Sequence, residues 1–199
     1  MPLIREVVVT TVNARGEPHI APLGIIAEDE RWILAPFHPS TTLENLRQAP
    51  FAVANLTDDV RVFAGCLTGR RDWPLAPAKM VAAPRLAITL AHLELVVVEV
   101  REDALRPRFV CRVAHRAQHA PFEGFNRAQS AVIEGAVVVS RLHMLPRAEV
   151  EAELARLEIV VGKTASAAEA EAWGWLKEKA AQFFARDAAG ESGARHSGH

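Results

Sequence analysis

The sequence has little cysteine and no long apolar run. Its two cysteines, Cys66 and Cys111, are far apart, and neither lies in a CxxC pair. Neither a disulfide framework nor a zinc knuckle is therefore indicated, and a reducing compartment such as the cytoplasm fits best. Nowhere do 18 uncharged apolar residues follow one another, and Arg5 and Glu6 interrupt the first apolar stretch. We therefore expect neither a signal peptide nor a membrane span.

Several familiar enzyme motifs are also missing. The sequence has no phosphate-binding loop of the GxxxxGK[ST] type, no GxGxxG after a strand, no GxSxG and no HExxH. Cys111, His115 and His119 are spaced four apart, which on a helix would align three metal ligands. Cys111 lies in a β-branched run that is typical of a strand, however, and this breaks the helical geometry. No metal site is predicted.

The composition is that of a soluble globular protein with balanced charge. The chain has 199 residues, 50% of them hydrophobic and 24% charged, which suits one sizeable domain or a core domain with an appendage. The 23 Lys and Arg residues nearly match the 24 Asp and Glu residues, so the net charge is −1 at pH 7. Because no global field attracts polyanions, we expect neither nucleic acid nor a membrane surface as a partner.

The first part of the chain has the pattern of short strands separated by turns. Ile4–Val12 is rich in β-branched residues, residues 13–16 can turn at Gly16, and His19–Ala27 is again extended, which predicts a hairpin. The other predicted strands are Arg31–Ala35, Phe51–Leu56, Arg61–Ala64, Leu93–Val100 and Phe109–Val113. Six or seven short strands at close spacing favour a barrel or a sandwich over a doubly wound sheet.

Helices are predicted once within this β region and again after Pro121. Thr41 and Glu44 have the spacing of a capping box, which predicts a short helix over Ser40–Arg47. Residues 70–84 contain three prolines and are expected to form an irregular crossover. The later predicted helices are Asn126–Leu145, Pro146–Ile159 and Ser166–Arg186, the last one capped by Ser166 with Glu169. The predicted organisation is thus a β domain at residues 1–120, a helical region at 121–187 and a disordered tail at 188–199.

The start of the short helix has the residues best suited to bind an anion. Hydroxyls at Ser40, Thr41 and Thr42 follow a turn, and the helix then begins with free N–H groups and the positive end of its dipole. Such donors can hold a phosphate monoester, although an ordinary helix cap uses the same residues. The nearest basic side chain is Arg47, so a second positive charge has to come from elsewhere. The candidates are Arg5, Arg15, Arg127 or a partner subunit.

A series of short motifs occurs in the order and spacing of a known family. The motifs are Glu6–Thr11 (EVVVTT), Asn13, Gly16, Ala21–Gly24 (APLG), Ser40–Leu46 (STTLENL), Asn55–Asp59 (NLTDD), Gly124–Ala128 (GFNRA), Ala131–Glu134 (AVIE) and Arg141 with Leu142. Together they resemble the DUF447 family of FMN-binding split-barrel proteins over residues 4–185.

The resemblance implies a mainly β fold with α: a six-stranded split β-barrel, related to flavin reductases and pyridoxamine phosphate oxidases, with a C-terminal helical region. It also implies a homodimer with FMN at the subunit interface. In such folds the phosphate lies by the loop matching Ser40–Thr42, and the flavin ring lies along the strand matching Ala21–Gly24. The implied cofactor-binding residues are Ala21, Pro22, Leu23, Gly24, Phe37, His38, Ser40, Thr41, Thr42, Asn45, Asn55, Asn126 and Arg127. No catalytic side chain is identified.

The activity that the resemblance implies is that of a cytoplasmic flavoprotein. It would move reducing equivalents between a nicotinamide or pterin and a small acceptor, with a link to tetrahydromethanopterin in one-carbon metabolism. Two alternatives stay open. One is a non-enzymatic FMN carrier whose helices dock a partner protein, and the other is a reductase that uses a deazaflavin in the same groove. Whether the protein is an enzyme is not decided by the sequence.

Overall fold

The computed structural model describes the backbone of residues 2–194 and the side chains of residues 2–187. The strands are β1 Ile4–Val12, β2 Pro18–Glu28, β3 Arg31–Leu34, β4 Phe51–Leu56, β5 Leu75–Ala76, β6 Arg85–Leu86, β7 Ala91–Arg101 and β8 Arg108–Gln118. The helices are α1 Thr41–Gln48, α2 Arg61–Leu67, α3 Arg127–Ser140, α4 Arg147–Thr164 and α5 Ala167–Ala194. The described chain divides into two compact units, one of residues 2–58 and 71–123 and one of residues 59–70 and 124–194.

Six strands of the first unit form a closed antiparallel barrel in the order β1-β2-β3-β8-β7-β4. The predicted hairpin turn joins β1 to β2, where Gly16 adopts a φ of +79° that suits glycine. Val7 and Val9 of β1 point into the barrel, as alternation along a strand requires, and pack there with Leu95 and Phe109. The predicted six-stranded barrel is confirmed. The short strands β5 and β6 pair with each other in a separate sheet.

Helix α1 packs into the barrel core and follows directly on its capping residue. Leu43 and Leu46 belong to the same buried cluster as Val7 and Val9. Ser40 is the N-cap, since its side-chain oxygen accepts the N–H of Leu43 at 3.3 Å. The predicted helix is therefore correct, but the capping residue is Ser40 rather than Thr41.

The predicted strand at Arg61–Ala64 is wrong, because these residues lie in helix α2. Residues 62–66 are a continuous buried run, and such a run does not distinguish a buried strand from a buried helix. Asp59 accepts the N–H of Arg61 at 3.1 Å and its guanidinium at 2.7 Å, which fixes the helix start. Packing then decides the conformation, since Val60 and Ala64 belong to the helical core of the second unit.

The second unit is a helical cluster around Trp173 and Leu176 of α5. Asn126 caps α3, since its side chain accepts the N–H of Ala128 at 2.7 Å, and the predicted cap of α5 is confirmed, since Glu169 accepts the N–H of Ser166 at 2.8 Å. The backbone of α5 continues to Ala194, so residues 188–194 of the predicted tail are helical, and residues 195–199 lie outside the described residues. No helix within residues 2–194 combines the length and the apolar character needed to cross a bilayer.

Candidate functional site

The N-terminus of α1 brings together three of the predicted phosphate-binding residues. The first helical hydrogen bond runs from the Glu44 N–H to the Ser40 carbonyl at 3.1 Å, so the N–H groups of Thr41 and Thr42 have no partner within the helix. Thr42 is 5% exposed. Its hydroxyl is not sealed from solvent, and within residues 2–187 it forms no hydrogen bond with another residue. These donors are therefore available to a ligand.

Asn45 fixes the start of α1 to the barrel. It is 3% exposed, and its Nδ2 donates to Thr11 Oγ1 at 3.0 Å. Thr11 is itself buried at the end of β1, and no site role was predicted for it. The available signal is the pair of threonines, Thr10 and Thr11, that ends an otherwise apolar run. Asn45 thus holds the donors of Thr41 and Thr42 in a defined position.

The segment between β3 and α1 is exposed at residues 37–39 and is held by the β7–β8 loop. Phe37 is 58% exposed, and its ring lies 4.3 Å from the guanidinium carbon of Arg106. Arg106 also donates to the Ala35 carbonyl from Nε at 3.1 Å and from Nη2 at 3.0 Å. The exposed His38 donates its N–H to the Leu105 carbonyl at 2.8 Å. Arg106 was not among the predicted site residues, because only closure of the barrel brings this loop beside residues 35–38.

The predicted flavin residues Ala21–Gly24 lie on a strand with one unpaired edge. Strand β2 pairs with β1 over Pro18–Ile26, but it pairs with β3 only over Ile26–Glu28. In the described part of the chain, residues 18–25 therefore have no strand partner on their second side. Unpaired backbone groups at such an edge are ready to bind another strand or a ligand.

The register shows which backbone groups point to the open edge. The Ala27 N–H donates to the Leu3 carbonyl at 2.8 Å, so odd-numbered residues of β2 bond to β1 and even-numbered ones face away. Pro22 and Gly24 therefore direct their backbone groups to the open edge, while Ala21 and Leu23 bond to β1. Proline suits this position because it has no N–H to leave unpaired. A side chain at Gly24 would crowd its neighbours, since a Cβ atom would lie 3.0 Å from Ile4 Cγ2.

Asn55 holds the barrel together instead of facing the open edge. It is completely buried, and its Nδ2 donates to the Val8 carbonyl at 2.9 Å and to Thr10 Oγ1 at 3.0 Å. Its Oδ1 accepts the N–H of Leu86 at 2.8 Å. Both ends of the amide are therefore used within the protein, and a flavin contact of Asn55 stays a prediction.

Asn126 and Arg127 lie in the second unit. The Asn126 side chain caps α3 and donates from Nδ2 to the Thr164 carbonyl at 3.1 Å. Its amide is therefore engaged at both ends, like that of Asn55. Arg127 is the exposed first residue of α3.

A buried carboxylate on β7 was not predicted. Glu94 is completely buried, and its two oxygens accept the backbone N–H groups of Lys79 at 2.7 Å, Met80 at 2.5 Å and Val81 at 3.0 Å. His92 Nε2 lies 3.2 Å from Glu94 Oε1. Burial raises the pKa of Glu94, but these hydrogen bonds outweigh it and hold the pKa below its usual value. The sequence signal is a glutamate between Leu93 and Leu95 in an apolar strand.

Two histidines extend from Glu94 toward solvent. His92 Nδ1 lies 2.8 Å from Nε2 of the exposed His119, and the two rings are stacked. Partial burial, the positive charge of Arg85 and the neighbouring His92 lower the pKa of His119. No group of three or more His, Cys, Asp or Glu side chains within residues 2–187 is arranged to hold a metal ion. Cys111 points into the barrel core, where burial raises the pKa of its thiol to about 12.

Comparison with known proteins assigns the chain to a family. The model of the DUF447 N-terminal domain, from a protein of unknown function, matches residues 5–120, and a second DUF447 model matches residues 126–178. No curated protein matches the sequence.

Solved structures share the fold at low sequence identity. An FMN-bound DUF447 protein from Methanosarcina mazei is 19% identical, with a TM-score of 0.78 over 88% of this chain and 94% of that one. A Shewanella frigidimarina protein described as a flavin reductase with a split-barrel domain is 13% identical, with a TM-score of 0.52 over 60% of this chain and 71% of that one. The NADH:FAD oxidoreductase of Streptomyces globisporus is 14% identical, with a TM-score of 0.50 over 60% and 72%. The fold is thus a split barrel, and the chain belongs to the DUF447 family.

Proposed function

We propose that this protein binds FMN and acts as a homodimeric, cytoplasmic oxidoreductase that moves reducing equivalents between a nicotinamide or pterin and a small acceptor. The observation that carries the proposal is the hydroxyl of the buried residue Thr42, which forms no hydrogen bond with another residue within residues 2–187 and stands at a helix N-terminus whose first N–H groups have no partner in the helix. The bound FMN of the Methanosarcina mazei relative supports the choice of cofactor. The two cysteines, Cys66 and Cys111, are both buried and are not joined by a disulfide, which supports a reducing compartment.

The phosphate of the flavin would bind at the start of α1. The N–H groups of Thr41 and Thr42 and the Thr42 hydroxyl would donate to its oxygens, and the helix dipole favours the negative charge. The oxygen of Ser40 already accepts the Leu43 N–H, which leaves its hydroxyl proton to donate as well. Asn45 would act indirectly, by holding the helix start to Thr11.

The ring of the flavin would lie along the open edge of β2. The Gly24 N–H can donate and the Pro22 carbonyl can accept there, so the edge offers both kinds of hydrogen bond to a heterocycle. Bound flavin supplies the redox chemistry, and the protein supplies position and hydrogen bonds to the ring. A second subunit over this edge would cover backbone groups that a monomer leaves exposed, which supports the homodimer.

The test is whether the purified protein contains FMN and whether an electron donor reduces the bound FMN. The visible absorption spectrum and mass spectrometry of the compound released by heating identify the bound cofactor. The apoprotein is then titrated with FMN and with a deazaflavin. NADH, NADPH and a tetrahydropterin are tried as electron donors. Bound FMN that is reduced by one of these donors supports the proposal. FMN binding without turnover indicates the carrier, preference for the deazaflavin indicates the alternative reductase, and a protein that takes up neither refutes flavin binding.

Thr42→Val tests the phosphate site directly, because it keeps the size of the side chain and removes the hydroxyl. Hydrogen bonds to charged groups contribute about 1.5–3 kcal/mol, so the Kd for FMN should rise roughly tenfold to a hundredfold. Ser130→Ala, which removes an exposed hydroxyl on α3, is the matched control and should leave the Kd unchanged. An unchanged Kd for Thr42→Val would mean that residues 40–42 only cap the helix.

A further inference from the structure

The proposed phosphate site needs more positive charge than the helix supplies. A phosphate monoester carries about 1.5–2 negative charges at pH 7, whereas a helix N-terminus is equivalent to about half a positive charge. Neutral hydroxyl and N–H donors add hydrogen bonds but no net charge. A cationic side chain beside residues 40–42 would complete the site.

The basic residues considered from the sequence do not meet this need within the barrel unit. Arg47 is bound through both terminal nitrogens to Glu102, each at 2.5 Å. Arg15 is paired with Glu17 at 2.9 Å. Arg5 is six residues from Thr11 along β1, which is about 20 Å from the strand end where Asn45 of α1 binds.

Arg106 is the cation that the structure holds against the segment leading to α1. Its Nε and Nη2 donate to the Ala35 carbonyl, and its guanidinium stacks on Phe37. Its loop is itself ordered, because Asp103 Oδ1 accepts the N–H groups of Leu105 at 2.9 Å and Arg106 at 2.7 Å. Within residues 2–187 the Arg106 guanidinium has no carboxylate partner, and three of its five N–H donors remain for a ligand.

We propose that Arg106 binds the phosphate of the flavin together with the N-terminus of α1 and thereby makes the site select FMN over riboflavin. The proposal rests on the FMN site described above. Stacking on Phe37 and the bond to Ala35 hold the guanidinium in one orientation, so little freedom is lost when the phosphate binds. Arg106 would act through its charge and its N–H fork, which suit a phosphate better than a lysine does.

Two substitutions separate the charge of Arg106 from its structural contacts. Arg106→Gln keeps an N–H donor for the Ala35 carbonyl and removes the charge. Arg106→Lys keeps the charge but loses the planar set of guanidinium N–H donors. Arg112→Ala, an exposed arginine on β8, is the control for net charge. For each apoprotein, the Kd of FMN and of riboflavin is measured by quenching of flavin fluorescence. Riboflavin has the same ring without the phosphate, so it reports on the rest of the site.

The expected result is a change in the FMN Kd alone. Arg106→Gln should raise it roughly tenfold to a hundredfold, as for loss of a charge-assisted hydrogen bond, and should change the riboflavin Kd less than about threefold. Arg106→Lys should lose less FMN affinity than Arg106→Gln, and Arg112→Ala should match the wild type. Equal weakening of both ligands by Arg106→Gln, or no weakening of either, would overturn the role of Arg106 while leaving FMN binding in place. A wild-type protein that binds no FMN would instead overturn the proposed function and this inference with it.

Discussion

Replacement of Glu94 by glutamine should destabilise the barrel unit, because four donors converge on this buried carboxylate. Glutamine keeps the shape but has one acceptor oxygen. In the orientation that costs less free energy, the NH2 group of glutamine takes the place of Oε1 and faces both His92 Nε2 and the Lys79 N–H. His92 can change its tautomer so that Nε2 accepts, whereas the Lys79 N–H can only donate. One N–H then loses its acceptor, at about 1–3 kcal/mol, and the bonds from Met80 and Val81 lose charge assistance, at about 1 kcal/mol each. The expected loss in the free energy of unfolding is about 3–5 kcal/mol.

Urea denaturation at pH 7, followed by circular dichroism, measures this loss. Hydrogen exchange of the Lys79, Met80 and Val81 amides should show faster exchange in the variant, which locates the effect. Glu99→Gln on the same strand is the matched control, since Glu99 is exposed, and its stability should be close to that of the wild type. A Glu94→Gln variant as stable as the wild type, with these amides still protected, would refute the reasoning.

The contribution of Glu94 to stability also depends on pH. The pKa of Glu94 is lower in the folded protein than the ordinary value of 4.5. The stabilisation by the ionised carboxylate is therefore complete above about pH 4.5 and is lost as the pH falls through the folded pKa. The difference in stability between wild type and Glu94→Gln should accordingly shrink below about pH 4.5. A difference that stays constant down to pH 3 would contradict this assignment.

Two further predictions concern the helical unit and the histidine pair. Gly135→Ala would place a Cβ atom 2.5 Å from Cζ3 of Trp173 and should lower the free energy of unfolding by about 1–3 kcal/mol. Gly174→Ala has open space around it and should raise the free energy of unfolding by up to about 1 kcal/mol. Urea denaturation of both variants tests this contrast, and similar effects of the two substitutions would contradict it. Imidazole NMR should give His119 a titration midpoint below 6.5, raised by Arg85→Ala. Because this lowered pKa means that the folded state binds the proton less tightly than the unfolded one, His119 should make folding less favourable as the pH falls below about 6.5. A midpoint at or above 6.5 would exclude the proposed effect of Arg85.

Local pattern was sufficient for most of the barrel strands and for the cap of α5. Ile4–Val12 and Phe51–Leu56 were predicted with the bounds that the structure gives, because their β-branched and apolar residues are bounded by turn residues on both sides. The helix cap formed by Ser166 and Glu169 could likewise be predicted, since the two residues lie within four positions of each other in the sequence. At Arg61–Ala64, by contrast, an apolar run fits strand and helix alike, and packing against the second unit's core decided for the helix.

Ser40, Thr41 and Thr42 could be named from the sequence as candidates for binding an anion, because a turn, three hydroxyls and a helix start are adjacent in the chain. The sequence could not show that the Asn55 amide forms all its hydrogen bonds within the barrel unit or that Arg106 lies against Phe37. Those contacts join residues 47 and 69 positions apart, and only closure of the barrel brings them together. The role of Glu94 could not be predicted for the same reason, since the backbone N–H groups that donate to it come from a crossover with no regular sequence pattern. The sequence by itself thus determined most of the local elements. The tertiary structure decided the conformation at Arg61–Ala64 and which polar side chains remain available to a ligand, because each polar group can be satisfied by partners distant in the chain.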